Sequence, residues 1–282
     1  MQRIIESEKI IQEVTALCRK AACQLPEDVK KILFSAGEKE TSAMAKDFFE
    51  QYKENSRISE STGLPLCQDT GFAVYFIELG CDVKITGSDI YSAVNEGTRR
   101  GYGEFFLRKS IVADPLFDRK NTRDNTPAII HLSLVPGNQI KITLAPKGGG
   151  SENMSAVRML KPSDGRNGVV DFVVNTVVNA GGNPCPPTVV GVGIGGTMEM
   201  AAFLAKKALL REIGKSADDP RYAELEKEIL EKINSSGVGP QGLGGNVTSL
   251  AVHILHHPCH LASLPVAVNL NCHAARHAEV II

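Results

Sequence analysis

No window of the 282-residue sequence approaches the roughly 20 consecutive apolar residues of a membrane-crossing helix. The longest apolar stretches, such as PPTVVGVGIGG at 186–196, are short and broken by glycine. The opening MQRIIESEKI lacks the positive start and apolar run of a secretory signal, so a cytoplasmic protein is expected. An excess of basic residues is missing too. Lys and Arg total 31 against 32 Asp and Glu, a formal net charge of −1. This argues against a nucleic-acid binder, whose affinity rests on a basic surface. A small anionic substrate would need only a few cations. There is no C-x₂-C pair, so a zinc ribbon is not expected. Seven widely scattered cysteines, an odd number, do not make a disulfide framework. Two nucleotide signatures fail as well. In KGGGS (147–151) the lysine precedes the glycines, the reverse of a P-loop, and GVGIGG (191–196) does not fit the dinucleotide spacing. Neither an internal repeat nor a low-complexity linker is evident.

What is present reads as an α+β chain with a helical N-terminal region, antiparallel sheets and surrounding helices. Ile10, Ile11, Val14, Leu17 and Cys18 recur at helical spacing. Pro26, Glu27 and Asp28 suit the first turn of a second helix, and Met44, Phe48 and Phe49 mark a third. The strand-like run 71–80 follows, then a helix from about 88 capped by Ser88 or Asp89. Segment 128–146 reads as a hairpin turned at Pro136-Gly137-Asn138. Segment 168–181 suits either state, and its spacing favours a helix closed by Gly181. A strand at 188–194, two helices, and strands at TSLAVHILHH and LPVAVNLN complete the pass. The expected organisation is one domain, 1–282, with a helical part at 1–60 and an α+β part at 61–282.

Four segments have a composition that is costly unless a ligand sits there. They are GLPLCQDTG (63–71), PKGGGSENMS (146–155), NPCPPTVVGVGIGGT (183–197) and HHPCHLASLPVAVNLNCHAARH (256–277). Glycine clusters bring backbone close to a ligand and turn N–H groups toward it, which serves a carboxylate as well as a phosphate. Cys67, Cys185 and Cys272 each stand beside turn-forming or polar residues rather than on an apolar face. Three dispersed thiolates could bind a [4Fe-4S] cluster and leave one iron open, the Lewis acid a dehydratase needs to take hydroxide from carbon. Cys18 and Cys23 read as structural.

Together these segments resemble the N-terminal half of class I (iron–sulfur) fumarases and the α subunits of two-subunit fumarase and L(+)-tartrate dehydratase. CQDTG, KGGGSEN, NPCPP with GIGGT, and NCHA stand in that family's order across roughly residues 5–280. The resemblance implies a [4Fe-4S] cofactor on Cys67, Cys185 and Cys272, with Cys259 in HPCH the competitor for the third place. It implies that Gln68 and Asp69 touch substrate, with Asp69 the catalytic proton-transfer group. It also implies substrate contacts from Arg108, Gly150, Asn153 and His260, Arg108 offering a planar fork to a carboxylate. The plain alternatives are a turn or cap aspartate for Asp69, a solvated arginine for Arg108 and a core histidine for His260. One-chain members continue into a C-terminal region supplying a lysine, arginines and a threonine, and nothing resembling it occurs here. A β subunit completing the site, in an α2β2 assembly, is therefore expected. The expected function is fumarate hydratase, a hydro-lyase of the tricarboxylic acid cycle adding water to fumarate to give (S)-malate. The alternatives are an L(+)-tartrate or methyl-malate dehydratase α subunit and, outside that class, a non-catalytic Fe–S or zinc protein.

Overall fold

The structure is a computed structural model that describes residues 2–282. In chain order the first elements are strand β1 (Arg3–Glu6) and helices α1 (Ser7–Cys23), α2 (Glu27–Ala36) and α3 (Ala43–Thr62). Strands β2 (Phe72–Gly80) and β3 (Val83–Thr86), helix α4 (Ile90–Glu104), strands β4 (Ile129–Val135) and β5 (Ile140–Lys147), and the short helix α5 (Gly149–Glu152) follow. Then come β6 (Ala156–Leu160), α6 (Gly165–Ala180), β7 (Thr188–Gly195), α7 (Met198–Ala208) and α8 (Pro220–Asn234). The last three are β8 (Ser249–His257), β9 (Leu264–Asn271) and β10 (Ala278–Ile281). The α+β class is as expected, and no described helix is long and apolar enough to cross a membrane.

The elements sort into two compact units, each made of separate stretches of chain. The first comprises residues 1–26, 55–149 and 276–282, and the second 27–54 and 150–275. The first 60 residues are shared between both units.

The first unit is built on a four-stranded sheet in the order β10-β5-β2-β4. Its core joins Tyr75 and Ile77 of β2 and Ile140, Ile142 and Leu144 of β5 to Val14, Leu17 and Cys18 of α1 and Val94 and Tyr102 of α4. Helix α4 starts where Asp89 Oδ1 accepts from the N–H groups of Tyr91 (2.9 Å) and Ser92 (3.0 Å), which settles Asp89 as the cap. The 128–146 hairpin does not form. β2 lies between its two arms, pairing parallel with β4 and antiparallel with β5. Turn residues at 136–138 reverse the chain whether or not the flanking strands pair. Here the more apolar strand β2, buried along most of its length, takes the central place. The first residues also differ from a wholly helical reading, since β1 pairs parallel with β3.

The second unit carries a sheet in the order β6-β9-β7-β8, with β7 parallel to β8 and antiparallel to β9. Both four-stranded sheets are thus mixed, a correction to the purely antiparallel expectation. Segment 165–180 is the helix its spacing favours, with Val169, Val173 and Val177 in the core beside Val190, Ile229, Ile254 and Val268. Helix α7 lies against β7 at Gly191 and Gly193. A Cβ there would fall 2.1 Å and 2.0 Å from the carbonyl oxygens of Ala205 and Ala201, so only glycine allows this approach.

Candidate functional site

In the first unit the segment between α3 and β2 is tied down at both sides of Cys67. The buried Leu66 donates its N–H to the Ala22 carbonyl (3.0 Å), and its own carbonyl accepts from Asn55 Nδ2 (2.9 Å). Cys67 is half-buried and Gln68 exposed. Gln68 Oε1 accepts from Cys67 Sγ (2.9 Å) and from the Asp69 N–H (2.7 Å). Asp69 follows with both carboxylate oxygens engaged, Oδ1 by the Gly71 N–H (3.0 Å) and Oδ2 by the Gly149 N–H (2.9 Å). Asp69 is therefore more than a local turn residue, because one of its partners comes from the glycine segment 80 residues later. Gly71 is required here: its φ is +79°, and a Cβ would lie 2.7 Å from the Lys147 backbone.

Buried donors hold this loop from behind. Arg276 Nη2 donates to the Asp69 carbonyl (2.7 Å). Tyr102 Oη donates to the carbonyls of Thr70 (3.2 Å) and Gly71 (3.0 Å), and Asn125 Nδ2 also reaches Gly71 (3.2 Å). Burial pushes the Tyr102 phenol well up, which keeps it a neutral donor. Arg108 is brought to the same loop, its carbonyl accepting from Thr70 Oγ1 (3.2 Å). Buried Leu107 and Ile111 anchor its segment and leave Arg108 itself exposed. The structure thus brings the Arg108 backbone to the loop that carries Gln68 and Asp69. Tyr102, Asn125 and Arg276 are absent from the sequence-based set, and nothing short of the tertiary contacts could have found them.

In the second unit, Cys185 and Cys272 come together. Cys185 sits in the turn after α6 with φ +54°, its N–H bonded to the Gly182 carbonyl (3.0 Å). Its carbonyl accepts from the N–H of His273 (3.2 Å), the residue after Cys272 at the end of β9. The His273 ring stacks on Tyr52 at a centroid distance of 4.2 Å. Tyr52 Oη donates to the Pro186 carbonyl (3.2 Å) and accepts from Gln241 Nε2 (2.7 Å). Burial is the main cause that pushes the Tyr52 phenol up to about 12, and the Cys185 and Cys272 thiolates add to it. Tyr52, Gln241 and His273 form a frame around two candidate ligands, and composition gave no sign of it.

Gly150 and Asn153 are exposed, in α5 and the turn after it. A Cβ on Gly150 would lie 3.3 Å from the Asn183 carbonyl, two residues before Cys185, so Gly150 neighbours the cysteine turn. His260 is exposed in the loop after β8, which removes the core-histidine alternative. Its recorded hydrogen bonds stay within that loop, Nδ1 accepting from the Ala262 N–H (3.1 Å). Cys259 is exposed beside it and donates to the Ser263 carbonyl (3.3 Å).

All seven cysteines are outside disulfides, and Cys18 and Cys23 are buried, as a structural role requires. Burial pushes the Cys18 thiol up to about 12. Among the described residues, no three His, Cys, Asp or Glu side chains are gathered as a metal group. The donor chemistry does suit an iron–sulfur cluster. Cys67, Cys185 and Cys272 are free cysteines in connecting segments, none of them buried, and Cys185 and Cys272 neighbour each other in one unit.

Comparison with known proteins matches residues 11–281 to the family described as fumarate hydratase (fumerase). A Methanocaldococcus jannaschii protein provisionally named L(+)-tartrate dehydratase subunit alpha is 48% identical over 276 residues, covering 96% of each chain. The L(+)-tartrate dehydratase subunit alpha of Escherichia coli O157:H7 is 34% identical over all of this chain and 92% of its own. The protein of that name from strain K12 is 32% identical at the same coverage. On the span of that match and the length of these alignments, the chain belongs to the fumarate hydratase (fumerase) family.

Proposed function

We propose that this chain is the α subunit of an iron–sulfur hydro-lyase of the L(+)-tartrate dehydratase type. It would remove water from a small hydroxy-dicarboxylate in the cytoplasm. One observation carries the reading: the relatives named L(+)-tartrate dehydratase subunit alpha align along 96–100% of the chain, at up to 48% identity. Fumarate hydration, the description attached to the matched family, is the second reading.

The reaction requires a bound dicarboxylate, a proton taken from one carbon and hydroxide lost from the next. Cys67, Cys185 and Cys272 would hold a [4Fe-4S] cluster, which supplies a Lewis acid for the departing hydroxyl group. Asp69 would move the proton. Its carboxylate has fixed orientation through Gly71 and Gly149, as a general acid–base group needs. Arg108 offers an exposed fork to a substrate carboxylate, and the Gly150–Asn153 turn offers backbone and amide donors. Gln68 and His260 complete the proposed contacts. The name subunit alpha, shared by relatives of this length, supports a β subunit that completes the pocket, in an α2β2 assembly.

The test is anaerobic co-expression with a β-type subunit, then assays on L(+)-tartrate, fumarate and (S)-malate. Tartrate dehydration dependent on the β subunit is the expected result. Turnover of fumarate and malate without tartrate would move the assignment to the second reading. Full activity from the α chain alone would end the two-subunit proposal.

A further inference from the structure

We propose that Arg276 is a positioning residue for the Asp69 carboxylate, holding the Cys67–Gly71 loop from its buried side. The inference rests on the reading of Asp69 as the proton-transfer group.

Arg276 is only 5% exposed. Its Nη2 donates to the Asp69 carbonyl at 2.7 Å, while its Nε is buried with no hydrogen-bond partner. No carboxylate forms an ion pair with its guanidinium among the described residues. A buried cation in that condition is costly, and a methionine of similar reach would fill the space more cheaply. Packing therefore does not account for an arginine here. Its one recorded hydrogen bond does, since that bond ends on the backbone of the residue proposed to move the proton.

Arg276 acts with two buried neighbours. The carbonyls of residues 69, 70 and 71 are taken in turn by Arg276, Tyr102 and Tyr102 with Asn125. On the other side, both Asp69 oxygens are held by backbone N–H groups. The loop cannot shift without breaking bonds on both sides. Asp69 is therefore fixed in place before any substrate arrives, and a misplacement of about 1 Å costs on the order of 10²-fold in rate.

Arg276→Met is the informative variant, because it removes the donor and the unpaired charge while keeping most of the packing. In the co-expressed α–β enzyme assayed with L(+)-tartrate and fumarate, kcat should fall about 10²-fold with KM little changed. The thermal midpoint should stay at or above the parental value, and iron content should be unchanged. A second readout needs no turnover: iodoacetamide should alkylate Cys67 faster in the iron-free variant chain than in the parental one. Parental kcat together with parental Cys67 alkylation in folded Arg276→Met would overturn the proposal. Should that variant not fold, Arg276→Lys takes its place. Lysine keeps the charge on a different head group, and faster Cys67 alkylation with a kcat below parental is expected. Equality with the parental chain in both would overturn the proposal. Asp69→Asn is measured alongside. If it turns over normally, the reading of Asp69 fails, and the alkylation rate alone then decides whether Arg276 holds the loop.

Discussion

Asp69 shows how much one side chain depends on groups far away in sequence. Its carboxylate is shared between the next turn and the 148–149 glycines, and its backbone is held from residue 276. Replacing it by asparagine keeps shape but removes the proton-transfer group. Asp69→Asn should lower kcat by about 10²–10⁴-fold with iron content unchanged, read by steady-state assay and iron analysis. Its candidacy was legible because CQDTG places an acid two residues from a cysteine in a turn-forming segment. The donors behind it were not, since Tyr102, Asn125 and Arg276 lie 33 or more positions away and read as ordinary helix, loop and tail residues. His253 supplies a second prediction at this scale. It is buried on β8, its Nδ1–H donates to the Ala208 carbonyl (3.2 Å), and burial with the nearby Arg211 cation pushes its pKa from 6.5 down to about 4. The unfolded chain therefore takes up a proton near pH 6.5 that the folded chain refuses until about 4. The stability this neutral histidine contributes is complete above about pH 6.5 and is lost as pH falls toward 4, up to about 3 kcal/mol. His253→Gln, which keeps a donor for Ala208, should flatten that part of a denaturation-versus-pH curve. A curve unchanged in slope would show that His253 titrates normally.

At the scale of elements, helices such as α1 and α8 could be read from their helical apolar spacing, and β2 and β7 from continuous runs of apolar and β-branched residues. Strand partners could not be read so directly. Adjacent runs 128–135 and 140–146 suggest a hairpin through their turn alone, yet β2, earlier in sequence, separates them. Likewise β1 is too short to reveal that it pairs with β3 some 80 residues later. The glycines of β7 were legible as a costly composition, but Gly191 and Gly193 serve packing, since α7 lies directly on them. Gly193→Ala places a methyl group 2.0 Å from the Ala201 carbonyl, which α7 can relieve only by moving away from the sheet. We expect a loss of about 1–3 kcal/mol in urea unfolding, the usual cost of overpacking. Gly137→Ala, where a Cβ would meet nothing within 4 Å but φ is +109°, serves as a comparison dominated by backbone strain.

For the whole molecule, the proposed cluster makes the sharpest prediction, because it depends on three named cysteines, Cys67, Cys185 and Cys272. Cys67→Ser, Cys185→Ser and Cys272→Ser should each lose iron after anaerobic reconstitution, while Cys259→Ser should keep it. Retention of full iron by any of the first three would remove that residue from the set. The interleaved chain path has a further consequence, for synthesis on the ribosome. Residues 27–54 belong with residues 150–275, so α2 and the start of α3 leave the ribosome long before the sheet they belong with. The 95 residues between Glu54 and Gly150 take about 5–20 s to translate at ordinary elongation rates. Over that interval Val29 and Leu33 of α2, both buried in the finished protein, lack the contacts that residues 150–275 supply. The nascent chain therefore carries apolar side chains that chaperones can bind for seconds in every round of translation.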